Sequence, residues 1–296
     1  MTTAPGTHYR LPVAIRTVDV DRSGAWLSAG WRDFLNTPKV SLIYGVPFVL
    51  ASFLLSYGFI SGGLGSLVLP LAGGFVLLGP ILVVGLYDVS RRLERGAEVS
   101  IVHVFRAARA NIGQISAMGV VLLIIWFVWV EMAIFLFAIF FGQQPPPLDR
   151  FVADVLFSLE AAPFLIVGTG LGALIAGTIF AITAVSIPLL LDRQVDVVTA
   201  IGTSILAVRA NWQVMVGWAA MILLIIACGL ATFFLGLALA LPLLAYATWH
   251  CYRDIIDVDA VPSGTVPPEE ALSAEALVAE ARAATPSVSD TSEEKS

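Results

Sequence analysis

Few residues of this chain are of types that do chemistry, and the most conspicuous lie in the run LLAYATWHCYRDI at 243–255. His250 and Cys251 are adjacent there, between Trp249 and Tyr252, at the close of a long apolar segment. Imidazole and thiolate are common ligands of metals and haem. The pair therefore poses a choice between a ligand site and the point where a helix leaves a membrane. Counting narrows it. The chain has three histidines, His8, His103 and His250, and two cysteines, Cys228 and Cys251. Two cysteines are too few for a disulfide framework or a cysteine-based metal site. Cys228 lies inside one apolar segment and Cys251 at the opposite end of the next, so no pairing is expected.

Glu131 is the sharper candidate, being the only ionisable residue well inside an apolar segment. Intramembrane carboxylates serve as proton relays, ion sites or pairing groups. At 1.5 Å per residue it lies about 24 Å beyond Ile115, near a far boundary with Trp126 and Trp129 close by. An interfacial or structural carboxylate is expected, with a substrate pathway as the alternative. Gly168, Gly170 and Gly172 suggest a dinucleotide loop, but position 173 is Ala and the glycines sit within an apolar run. Gly168, Gly172 and Ala176 instead make a small-residue face for helix packing. The sequence holds no Walker motif, Ser/His/Asp arrangement, metal-ligand cluster or basic nucleic-acid stripe. No catalytic residue, cofactor, metal or nucleic-acid partner is expected.

These residues must be positioned by membrane-spanning helices. Of 296 residues, 58% are hydrophobic and 13% charged, against about 45–50% and 25% in soluble domains. Residues 1–255 carry 14 Lys/Arg and 13 Asp/Glu, whereas 256–296 carry 2 and 9. The acidity lies in a tail rich in Ala, Ser, Thr, Pro and Glu, expected to be disordered. A helix needs about 20 apolar residues to cross the hydrocarbon. Six segments qualify: 40–60, 64–87, 115–141, 164–191, 214–230 and 232–249, the last two separated near Gly229. Basic residues precede span one, lie between spans two and three and between four and five, and follow span six; only Arg150 falls on the other side. Both termini are thus expected in the cytoplasm. No secretory signal opens the chain, so span one is expected to act as an uncleaved anchor. The outer loop carries Leu148, Phe151, Val152, Val155 and Leu159 on one helical face, an expected external interfacial helix. The domain reading is a cytoplasmic segment 1–24, a transmembrane domain 25–255 and a cytoplasmic tail 256–296.

Repetition organises the spans. The run AARAN at 107–111 recurs as AVRAN at 207–211, each followed by a Gln and an apolar span. A weaker copy, AGWRDFL at 29–35, precedes span one. The repeat residues singled out are Arg32, Arg109, Asn111, Arg209 and Asn211. Leu27, Trp31, Phe34 and Leu35 share one helical face; so do Ile101, Phe105, Ala108 and Ile112, and Val197, Ile201, Ile205, Val208 and Trp212. The arginines read as lying off these stripes. Such helices lie in the headgroup layer. The fold expected is an all-α membrane protein of six transmembrane helices, built as three hairpins. Each hairpin follows a cytoplasmic amphipathic helix, a threefold repeat. Pro80 and Pro242 each precede an aromatic by seven residues, which puts His250 where the first hairpin has Asp88.

AGWRDF at 29–34, SLIYG at 41–45, LYDVSRRLE at 86–94, PLLLDR at 188–193 and ATWHCYRD at 247–254 together resemble the bacterial integral membrane proteins grouped as domain of unknown function 2189. The resemblance spans 13–256 and implies an inner-membrane protein without established activity. Some relatives are labelled a cytochrome c oxidase subunit. Three histidines are too few for the two haems and copper of an oxidase core, and only His250 is near the bilayer. The reading is a non-enzymatic scaffold, assembly or lipid- and partner-interacting protein, with the bilayer, other membrane proteins or a second copy as partners. The alternatives are a small transporter or channel using Glu131 and, remotely, an oxidase-accessory subunit binding haem through His250.

Overall fold

The computed structural model describes residues 14–63, 68, 77–142 and 158–257. Strand β1 (Ala14–Ile15) leads into α1 (Arg22–Asn36) and α2 (Pro38–Ser61). After the undescribed stretch come α3 (Gly79–Leu82), α4 (Val84–Glu94), α5 (Ile101–Arg106) and a 3₁₀ helix (Ala107–Asn111) that runs into α6 (Ile112–Phe141). Then follow α7 (Ala162–Thr183), α8 (Ser186–Asp192), α9 (Val197–Ala210), α10 (Trp212–Ala231), α11 (Leu237–Ile255) and strand β2 (Ile256–Asp257).

Local chemistry sets the ends of these helices. Pro38 opens α2 at its first position, where the missing N–H costs nothing. Asp196 caps α9, its side chain accepting from the Thr199 amide at 2.9 Å. Gly142, at φ +70°, ends α6 in a conformation that disfavours other residues. The break between α7 and α8 lies upstream of Pro188, whose ring crowds the carbonyl four residues before it, that of Ala184. The Val185 amide there is taken up by Ser204 Oγ of α9 at 3.3 Å.

Among the described residues, four helical runs are long and apolar enough to cross a membrane: Pro38–Ser61, Ile112–Phe141, Ala162–Asp192 and Trp212–Ala231. They answer to the first, third, fourth and fifth expected spans. Half of the second, 64–87, falls outside the described residues, and its described end leads through two helices, α3 and α4. The sixth is shifted. α10 continues past Gly229 to Ala231, a turn with Phe233 and Phe234 at positive φ follows, and α11 starts at Leu237. α11 then runs through the polar residues to Ile255 and is buried along most of its length. A helix walled by protein needs no unbroken apolar run. The expected helix at 148–159 and the acidic tail lie outside the described residues, save Ser158–Leu159 and Ile256–Asp257.

α11 is the pole of the bundle, with α1, α2, α4, α8 and α10 against it. Two glycines let backbones meet there. A Cβ at Gly30 of α1 would stand 2.6 Å from the Ala247 nitrogen, and one at Gly45 of α2 would strike the Ala238 backbone. The expected small face of α7 receives α6 instead: a Cβ at Gly172 would lie 3.3 Å from the Trp129 ring. At the polar end, β1 pairs antiparallel with β2, Ala14 opposite Asp257 and Ile15 opposite Ile256.

The three amphipathic helices are present, but their apolar stripes do not face as a unit. In α1, Phe34 is buried and Leu27 half-buried, while Trp31 and Leu35 are exposed beside Arg32. Phe105 and Ile112 are exposed beside Arg109, and Trp212 beside Arg209. The arginines are therefore part of the exposed faces. Small or polar residues do the seating: Ala29, Gly30 and Asp33 in α1, Ala107 in the 3₁₀ helix, and Ala200, Thr203, Ser204 and Ala207 in α9.

Gly30→Val is expected to lower the detergent-solubilised protein's apparent unfolding midpoint, at a cost of about 1–3 kcal/mol or more for overpacking. Gly58→Val, where a Cβ meets open space, serves as the control and should leave the midpoint close to wild type.

Candidate functional site

Where α11 turns polar, it meets α1, α4 and α8, and its polar residues find partners on them. His250 Nε2 lies 2.8 Å from Asp33 Oδ2 of α1. The same oxygen accepts from Ser90 Oγ of α4 at 2.6 Å. Trp249 Nε1 donates to Glu94 Oε2 at 3.2 Å, and Arg253 Nε to Glu94 Oε1 at 2.9 Å. The Tyr252 hydroxyl donates to Asp192 Oδ2 at 3.1 Å, while Arg95 holds Asp192 Oδ1 at 2.9 Å. Asp254 accepts from Arg22 at 2.7 and 2.9 Å and from Trp26 Nε1 at 2.8 Å. Asp88, 1% exposed, is gripped by Arg91 and by Arg92 Nε at 2.7 Å, and Arg91 also donates to the Leu191 carbonyl.

This is a layer of charge-assisted bonds, short because one partner is ionised. Burial by itself would raise the Asp254 carboxyl. The hydrogen bonds from Arg22 and Trp26, with the charges of Arg22 and Arg16, outweigh that and hold it below its ordinary value. The Cys251 thiol is fully buried, and burial, reinforced by the Asp254 charge, pushes its pKa well above the usual thiol range. It is a packing group rather than a thiolate. His250 and Cys251 are neighbours in sequence but not in role: the imidazole reaches α1, and the thiol turns into the core. Among the described residues no group of three or more His, Cys, Asp or Glu is placed to hold a metal ion.

The repeat residues fall into two sets. Asn111 donates to the Leu190 and Val195 carbonyls at 3.2 Å each, tying the 3₁₀ helix to the link before α9. Asn211 donates to the Arg16 carbonyl at 3.0 Å and accepts from the Val18 amide at 2.9 Å, tying α9 to the link before α1. Gln114 similarly accepts from the Val197 amide at 2.9 Å. Thr37 occupies the corresponding junction of the first pair. Its backbone (φ −133°, ψ 47°) is close to those of Asn111 (−146°, 53°) and Asn211 (−118°, 29°). Arg32, Arg109 and Arg209 are exposed. Glu131 is exposed too, on the face of α6 that carries Phe127, Val128, Ile134 and Phe135, and the polar layer does not include it. Sequence reasoning missed Asp33, Glu94 and Asp192 as the partners of α11. No local signal marks Asp33, because the seating face of α1 shows only in the structure, where Ala29, Gly30 and Asp33 are buried.

Apolar helices of spanning length, anchored on a polar layer of ion pairs, define a helical integral membrane protein. Residues 68–192 match the family described as predicted integral membrane protein (DUF2189). That match takes in Asp88, Asn111, Glu131 and Asp192 and leaves Asp33 and His250 outside it. No curated protein and no solved structure matches the chain.

Asp33→Ala leaves Ser90 and His250 without their shared acceptor, at about 1–3 kcal/mol for each orphaned group. The apparent unfolding midpoint should fall, and adding His250→Ala should cost less than the two single losses combined. Asp254 carries a different signature. A depressed carboxylate contributes stability in full above its unfolded value of about 3.9 and loses it as pH falls through the lower folded value. The midpoint gap between wild type and Asp254→Asn should be flat from neutrality to about pH 5 and shrink below about pH 4.

Proposed function

We propose that this chain is a non-enzymatic multi-pass membrane protein, acting as a scaffold or assembly partner within the bilayer. One observation carries the reading: the side chains best able to do chemistry are committed to one another. Asp33 serves Ser90 and His250, Asp88 serves two arginines, Asp192 and Glu94 hold α11, and Cys251 is buried. Such a closed network specifies packing, and it takes up the acids, the imidazole and the thiol of this end within itself.

In its finer form the proposal is six spans in three hairpins, with both termini on the cytoplasmic side of a bacterial inner membrane. The three junctions at Thr37, Asn111 and Asn211 support the threefold repeat. Each asparagine ties its own unit to the segment that opens the next, and β1 with β2 joins the end of the third unit to the start of the first. The oxidase-accessory reading needs a free imidazole at 250, and the Asp33 bond to Nε2 weighs against it. The transporter reading needs Glu131 to line a route, and its outward position on α6 favours contact with lipid or a partner helix.

Two measurements test this. The protein purified from native membranes should show no Soret band; a band that vanishes in His250→Ala would sink the non-haem reading. Single cysteines at Ser23 and at Ser263 in a background lacking Cys228 and Cys251 should be labelled by an impermeant maleimide only from the cytoplasmic face. Labelling of the two from opposite faces would refute the even number of spans.

A further inference from the structure

The exposed faces of the junction helices carry a pattern that the polar layer does not use. Many cations of this end are paired, whether exposed or half-buried: Arg16 with Asp257, Arg22 with Asp254, Arg91 and Arg92 with Asp88, Arg95 with Asp192 and Arg253 with Glu94. Five others are not. Arg32, Lys39, Arg106, Arg109 and Arg209 form no ion pair among the described residues.

Each of these cations stands beside bulky apolar side chains that face away from the bundle. Trp31 and Leu35 flank Arg32 on α1. Phe105, 70% exposed, and Ile112 flank Arg106 and Arg109 around the 3₁₀ helix. Leu206 and Trp212, the latter 60% exposed, flank Arg209 at the α9–α10 junction. Each set sits within a few residues of the start of a spanning helix, on α2, α6 or α10. Water would reward neither half of this pattern. An exposed aromatic costs free energy in water, and an unpaired guanidinium leaves its charge unmatched by any neighbouring carboxylate.

We infer that these three faces form a collar that binds anionic phospholipids of one leaflet, the aromatic and aliphatic side chains entering the acyl boundary and the arginines meeting headgroup phosphates. The apolar half selects lipid over free phosphate, which would need only the cations. Guanidinium suits the task because its fork pairs with phosphate oxygens two at a time. The inference rests on the membrane reading above and names the lipid class that the scaffold engages.

The test is electron spin resonance of the full chain reconstituted in phosphatidylcholine, with spin-labelled phosphatidylglycerol or spin-labelled phosphatidylcholine as probe. The motionally restricted fraction should favour phosphatidylglycerol by roughly fivefold, the value of about one basic residue at an anionic surface. High salt should reduce the preference. The triple variant R106Q/R109Q/R209Q should abolish most of it, and the triple lysine variant should keep it. Because these side chains make no ion pair among the described residues, their replacement leaves the polar layer intact; an unchanged unfolding midpoint checks this. Equal restriction of the two probes overturns the collar and leaves the membrane reading standing. A preference that survives the glutamine variant also overturns it, by locating the lipid elsewhere. No restricted lipid at all would remove the membrane reading itself.

Discussion

The close approach of α1 and α11 at Gly30 is the constraint on which the polar end of the molecule depends. With only a hydrogen at position 30, the α1 backbone reaches Ala247. One turn further along α1, Asp33 then comes within hydrogen-bond distance of His250, one turn further along α11. One turn back, Trp26 reaches Asp254 and packs edge-on against Trp218 of α10, ring centres 5.8 Å apart. A side chain at position 30 would push the helices apart and stretch these bonds together. Hydrogen bonds weaken steeply beyond ideal geometry, so one glycine governs several ion pairs.

This also explains why α11 differs from the other long helices. The spanning helices present bulky residues outward, as Leu54 and Tyr57 do on α2. α11 has Tyr246, Trp249, Cys251 and Tyr252 fully enclosed. In that setting a polar side chain is affordable only with a partner, and α11 has one for each: Ser41 for Tyr246 at 2.7 Å, Glu94 for Trp249 and Asp192 for Tyr252. The helix with the most aromatic hydroxyl and indole groups is thus the one that gathers the acidic residues of its neighbours.

What the sequence disclosed follows from which signals are local. Apolar runs of spanning length are local, and four of them appear where hydropathy put them, with boundaries a few residues off. The Asn111 and Asn211 copies were legible as a repeat of residues, but their work was not, because each bonds a segment from another part of the chain, 79 to 195 positions away. The amphipathic stripes were legible in period and not in facing. Their periodicity gives an apolar side and no means of telling whether it meets protein or lipid. In α1 the answer turns on Ala29, Gly30 and Asp33, small enough to sit on α11, which leaves Trp31 and Leu35 outside. Asp33 itself had no local signature, since an acidic residue in an amphipathic helix ordinarily faces water.

The question posed by His250 resolves in the same terms. In sequence, setting Pro80–Tyr87 against Pro242–Trp249 puts Asp88 opposite His250, yet one is a carboxylate and the other an imidazole. Their surroundings differ in sign. Asp88 faces Arg91 and Arg92, which a carboxylate satisfies. Position 250 faces Asp33, already an acceptor for Ser90. A second carboxylate there would set two like charges within hydrogen-bond distance, and an apolar residue would leave Asp33 with one donor fewer. Imidazole supplies a donor from a ring that packs at the edge of the core. The residue that looks like a ligand in sequence is the one that a buried aspartate on another helix requires.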